Sequence, residues 1–229
     1  MNKTLLALAL SAASISSASA LDVTISLTNL THGSHFTPLL ISAHVDGQHL
    51  FELGSAASAN LQAMAEGGDT SGLNTDLTNQ NADSHNAAGL TTPGATESFS
   101  LMTQMSNTQL SVVGMVLPSN DGFVGLDAMT IPTEAGTYTY YLNAYDSGTE
   151  ANDEIINGAG APGAAGIPAA PLGSGGTGAS GVAGSDSNAM IHIHRGVIGD
   201  TDATGGASDL DSRVHRWLNP VARLVIEVN

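Results

Sequence analysis

Residues 116–154 read VLPSNDGFVGLDAMTIPTEAGTYTYYLNAYDSGTEANDE. An apolar run, Leu110 to Leu117, leads into Pro118-Ser119-Asn120-Asp121-Gly122, which has the composition of a turn. A second run, Thr137 to Tyr145, is rich in Thr and Tyr and reads as a strand. It ends in Asp146-Ser147-Gly148-Thr149-Glu150. If the two runs are neighbouring strands, their far ends deliver Asp121, Asp146 and Glu150 to one edge of a sheet. Three carboxylates held close together repel unless a cation sits between them. Hard oxygen ligands on loops, with no Cys in the chain, favour Ca²⁺ over a transition metal. Neither loop fits the twelve-residue calcium-loop pattern, so such a site is assembled from separate loops, with carbonyls and water completing the shell. Asp127, Asn152 and Asp153 are reserve ligands. The alternative is ordinary turn chemistry, since Asp-Gly and Asp-Ser-Gly are common turn sequences.

Working outward, Val23, Ile25 and Leu27 alternate with Thr24, Ser26 and Thr28, the period of a half-buried strand. Leu39 to Val45 is a second extended run. Ser55 to Glu66 changes period, with Ala57, Leu61, Met64 and Ala65 on one helical face, and Gly67-Gly68 ends it. This is expected to be the one substantial helix. Residues 69–93 are polar and read as a long surface loop. Glu97 to Met105 and Gln109 to Leu117 read as a hairpin. Ile155 to Ser187 is mostly Gly, Ala, Ser and Pro, and reads as a mobile insertion within the domain. Strand-like sequence resumes at Met190 to His194 and at Val221 to Val228, the latter apolar enough for a central strand. The expected fold is all-β, an antiparallel β-sandwich of about eight strands with one short helix and long loops.

Residues 1–20, MNKTLLALALSAASISSASA, have the form of a secretory signal, with one Lys, a short apolar run and Ala18-Ser19-Ala20 at the cleavage position. The expected mature chain is 21–229, secreted to a periplasmic or extracellular space. It carries four Arg against 21 acids, a formal charge of −17. So acidic a chain is poorly suited to binding phosphate backbones, or anionic lipid without a bridging cation. With no Cys, its stability must come from core packing, hydrogen bonds and metal rather than disulfides.

Several stretches resemble the spondin-type (spondin N) domain: Pro118 to Asp127, Tyr145 to Glu150, Thr37 to His44, Ala65-Glu66-Gly67-Gly68, and the closing Pro220 to Glu227. The likeness runs, with gaps, over most of 21–229. It implies an extracellular, calcium-binding β-sandwich that mediates adhesion through a matrix or cell-surface protein or glycan. It also implies metal ligands in the two acidic loops, at the positions of Asp121, Asp146 and Glu150. The family usually has Asp where this chain has Glu150, and its animal members carry cysteines that are absent here.

Two other readings stay open. His192 and His194 fall on one face of a strand, about 6.8 Å apart. With His32, His35, His44 or His215 they make a set that zinc or copper would accept in a periplasmic metal-binding protein. The alternative there is hydrogen-bonded, half-buried histidine. The third reading is a secreted hydrolase. The chain has no G-x-S-x-G elbow, no Cys nucleophile and no Lys-bearing phosphate loop, and the expectation is that it is not an enzyme.

Overall fold

The computed structural model describes residues 20–171, 175–185 and 187–229; apart from Ala20, the expected signal segment lies outside them. Ten strands and two helices occur among the described residues. In chain order they are β1 (Asp22–Asn29), β2 (His35–Phe36), β3 (Leu40–His44), α1 (Ala59–Gly67), α2 (Ser71–Asn79), β4 (Asp83–Asn86), β5 (Thr96–Met102), β6 (Gln109–Leu117), β7 (Gly122–Thr130), β8 (Gly136–Asp146), β9 (His192–Ile193) and β10 (Ala222–Val228). The class is all-β, as expected, with antiparallel pairing between strands. The strands form one continuous, nearly closed sheet in the order β4-β3-β6-β7-β8-β10-β1-β5, with β2 on β6 and β9 on β8. The edge strands β4 and β5 meet at His85 and Phe99, whose ring centroids are 4.8 Å apart.

Alternation builds the inner core. Val23, Ile25 and Leu27 of β1 turn inward with Phe99, Val112, Val124, Leu142, Leu224 and Ile226. Each such side chain, fully buried, stabilises the fold by roughly 1.5–3 kcal/mol. The central placement of β10, between β8 and β1, is the one its apolar sequence implied. Strand β6 is buried along its whole length because its other face is also covered. There Leu40, Val113, Met115 and Phe123 pack beneath Leu61, Met64, Leu73 and Leu77 of the helices.

The structure corrects four expectations. Residues 69–93 are not simply a loop: they contain α2 and β4. Only Leu73 and Leu77 anchor α2, too few apolar residues to stand out in the polar sequence SGLNTDLTN. Strands β5 and β6 are not a hairpin, since β5 pairs with β1 and β6 with β3 and β7. The turn-like residues between them bind β4 instead: Asn107 Nδ2 donates to Asp83 Oδ2 at 2.8 Å and the Gln104 N–H to the same oxygen at 2.7 Å. The apolar run ending at Leu117 and the Tyr-rich run are not neighbours, because β7 lies between them. The Gly/Ala-rich insertion is docked over much of its described length, with Ile167 in the inner core and pairing Ile156.

The Ala65-Glu66-Gly67-Gly68 stretch has a local account. Ser58 Oγ accepts the Leu61 N–H at 3.1 Å and caps the start of α1, a contact worth about 1 kcal/mol. Gly68 ends the helix at φ 74°, the left-handed conformation that Gly adopts without strain. Gly67 leaves no room for a Cβ, which would strike the carbonyl of Gly160 in the insertion.

Candidate metal centre

Strand β7 brings the acidic loops together. Gly122 pairs with Asp146 across β7 and β8, so Asp121 and Asp146 stand at the same level of the sheet. Both are buried. Asp121 Oδ2 gathers the second loop around itself, accepting from Ser147 Oγ at 2.9 Å, the Thr149 N–H at 3.0 Å and the Glu150 N–H at 3.2 Å. Its other oxygen, Oδ1, is buried with no hydrogen-bond partner. Asp146 Oδ1 accepts the Gly148 N–H at 2.9 Å, and Oδ2 accepts from Asn152 Nδ2 at 2.7 Å. Glu150 Oε1 accepts from Asn120 Nδ2 at 3.0 Å and from the Gly166 N–H, while Oε2 is buried without a partner.

The electrostatics follow from that geometry. Burial, then the charge of Asp146, pushes the Asp121 carboxyl up to about 6. Burial pushes Glu150 up to about 7, with the charges of Glu66 and Asp121 adding to the rise. The hydrogen bonds from Ser147, Thr149, Asn120 and Gly166 oppose these shifts without cancelling them. Two carboxyls thus resist ionising, and each has a buried oxygen with no hydrogen-bond partner among the described residues.

The three predicted ligands are therefore gathered, but not as a preset cage. Among the described residues no group of three or more His, Cys, Asp or Glu side chains is poised to hold a metal ion. The donor chemistry nevertheless fits a hard cation: all donors are oxygens, and Asp121 Oδ1 and Glu150 Oε2 lack any other partner. Of the reserve ligands, Asn152 supports Asp146, and Asp153 accepts from Asn120 Nδ2 at 2.8 Å. Asp127 is committed elsewhere. A bulge turns it toward the loop before α1, where it accepts the Leu50 N–H at 2.7 Å and meets His49 Nδ1 at 2.6 Å.

The histidines are also placed. His192 Nε2 lies 3.7 Å from Asp146 Oδ2, and its Nδ1–H donates to the Met190 carbonyl at 2.8 Å. His194 lies beside Gly122 and packs on Trp217, ring centroids 5.2 Å apart. Its Nδ1 accepts the Gly196 N–H at 2.9 Å. That obligate donor leaves the proton of the neutral ring on Nε2, so His194 has no free lone pair for a metal. The two imidazoles flank the aspartates rather than face one ion as a pair. His44 is satisfied by the Val45 carbonyl and Ser111 Oγ, at 3.0 and 2.8 Å. His32, His35 and His215 line a separate cleft of about 380 Å³ with Pro93, Pro171 and Val214.

Two residues that organise this centre were not singled out from sequence. Asn120 cross-links the loops, donating to Glu150 and Asp153 and accepting the Glu154 N–H at 3.1 Å. Glu154 is buried and takes the N–H of Ile198 at 2.5 Å and that of Gly199 at 2.8 Å. The signal was present in Pro118-Ser119-Asn120-Asp121, where attention to charge passed over the amide.

No helix among the described residues is long and apolar enough to cross a membrane. A search of curated proteins finds no match. The Spondin_N family model matches residues 28–154, which is 127 of the 229 residues and includes Asp121, Asp146 and Glu150. By that match over more than half its length, the chain belongs to the Spondin_N family.

Proposed function

We propose that this protein is a secreted, extracellular spondin-type module whose acidic loops bind Ca²⁺ and, so ordered, present a rigid face to a matrix or cell-surface protein or glycan. Asp121 and Glu150 would supply the unpartnered oxygens Oδ1 and Oε2, and Asp146 the further negative charge. The ion would neutralise carboxylates that burial otherwise keeps from ionising. The observation that carries this reading is the pair of buried carboxylate oxygens without partners on two loops already tied together by hydrogen bonds. The adhesive role rests on family membership.

Metal identity is the test. Thermal unfolding of the mature chain is compared in Ca²⁺, Zn²⁺ and Cu²⁺. Ca²⁺ should raise the midpoint, Asp146→Ala should abolish the rise, and His194→Ala should leave it. A rise with Zn²⁺ or Cu²⁺ alone, lost in His192→Ala, would replace this reading with the transition-metal one.

A further inference from the structure

Residues 157–166, Asn-Gly-Ala-Gly-Ala-Pro-Gly-Ala-Ala-Gly, form a loop whose ends are pinned together by the Ile156–Ile167 bridge. This is the form of an Ω-loop, but one with almost no side chains to pack. Ile167 is buried at its base, and the loop itself offers little beyond main-chain amides. Two carboxylates take those amides. Glu66 of α1 accepts the Gly163 N–H at 2.6 Å, and Glu150 of the acidic centre accepts that of Gly166. A third contact is steric: Gly160 rests against Gly67, where no Cβ fits.

Glu150 therefore faces two ways. Oε1 holds the loop and Asn120, while Oε2 is the buried oxygen offered to a cation. Glu66 and Glu150 hold the loop from two different elements, α1 and the acidic loop after β8. A cation on Oε2 would fix the Glu150 carboxylate in place, and with it the acceptor that holds the Gly166 N–H.

We propose that loop 157–166 is a cation-dependent cover, docked on α1 through Glu66 and Glu150 when Ca²⁺ occupies the acidic centre and released when it leaves. The proposal rests on the Ca²⁺ reading above. It makes the cover the part of the surface that changes with calcium, and hence the part by which a partner would distinguish the two states. Coupling of this kind is reciprocal: the factor by which Ca²⁺ favours docking is the factor by which docking favours Ca²⁺.

Gly67→Ala tests this without touching a carboxylate. The substitution suits a helix and blocks the seat of Gly160. Hydrogen exchange of 157–166 is followed in the mature chain with and without Ca²⁺, and Ca²⁺ affinity is measured calorimetrically for both forms. In the wild type, Ca²⁺ should slow exchange in 157–166 by about tenfold. Gly67→Ala should abolish that protection and weaken Ca²⁺ by the same factor, with the far-ultraviolet spectrum unchanged. If Ca²⁺ binds both forms equally and exchange of the loop does not respond, the cover is wrong and the metal site stands. If the wild type binds no Ca²⁺, the functional reading falls and the cover falls with it.

Discussion

Asp121 and Asp146 leave adjacent strands at one level of the sheet because Gly122 and Asp146 are partners across β7 and β8. That register places two buried carboxylates side by side, and the fold tolerates them by surrounding each with donors. The donors do not fully offset burial, and the consequences are measurable.

Without calcium the site should weaken the fold as pH rises. The Asp121 carboxyl stands at about 6 against an ordinary 3.8, and Glu150 at about 7 against 4.5. Between those values the folded chain binds more protons than the unfolded one, so stability falls as pH rises through roughly 4 to 7. For Asp121 alone the rise is worth about 3 kcal/mol at 1.36 kcal/mol per pH unit. Asp121→Asn keeps an acceptor for the loop and removes the charge. In chelator at pH 8 it should be more stable than the wild type by urea denaturation; equal or lower stability would show that Asp121 is comfortably ionised.

The cleft holding His35 should act in the opposite direction. His35 is buried, its Nδ1 has no partner, and burial holds its imidazole below the usual 6.5. Burial also lowers His215, and the charge of Asp211 opposes that shift. Below 6.5 the unfolded chain takes the protons first, so these groups cost stability as the pH falls. His35→Leu should be neutral or stabilising at pH 7, because it removes a buried ring nitrogen that has no hydrogen-bond partner among the described residues. It should also flatten the acid limb of the stability profile; an unchanged limb would clear His35 of any part in it.

Glu154 acts as a non-covalent staple. It gathers the N–H groups of Ile198 and Gly199 and the hydroxyl of Ser208, the last at 2.5 Å. Asp209 does the same for Ile156 and Thr177, at 2.7 and 2.6 Å. Bonds to charged acceptors contribute about 1.5–3 kcal/mol each, so Glu154→Ala should cost at least about 3 kcal/mol in equilibrium unfolding. A loss under 1 kcal/mol would mean that the loops hold themselves.

Gly125 in the family-like stretch 118–127 serves packing. A Cβ there would press on the Phe51 ring and on Tyr145, which sit 5.0 Å apart, centroid to centroid, in an aromatic cluster with Phe123. Overpacking of this kind costs about 1–3 kcal/mol. Gly125→Ala should lower the thermal midpoint without altering the calcium response; an unchanged midpoint would show that Phe51 can move aside.

The sequence was legible where local pattern and tertiary role agree. The alternation of β1 and the apolar run of β10 read directly as strands, and turn composition marked the loops of Asp121 and Asp146, although their shared level comes from β7 pairing with β8 rather than from the two runs being neighbours. It was silent where the stabilising partners are distant. Helix α2 rests on two leucines, and β7 was hidden because its opening Gly122-Phe123 looked like the tail of a turn. The insertion looked like a mobile loop because two of its anchors, Glu66 and Asp209, lie 97 and 32 residues from the groups they hold. Part of the acidity is structural, with Glu66, Glu154 and Asp209 collecting amides that a disulfide-free chain must otherwise satisfy by other means.

Calcium titration calorimetry with proton counting tests the central claim most directly. Metal binding to protonated ligands releases their protons. With carboxyls at about 6 and about 7, binding at pH 6.5 should release about one proton, and at pH 7.5 about 0.3. The Kd expected for an extracellular site of this kind is about 10⁻⁴ to 10⁻³ M. Tenfold excess over Kd should then add about 1.4 kcal/mol of stability. Binding with pH-dependent proton release, lost in Asp121→Asn, is the expected result; no binding heat at millimolar Ca²⁺, or binding with no proton released at pH 6.5, would contradict it.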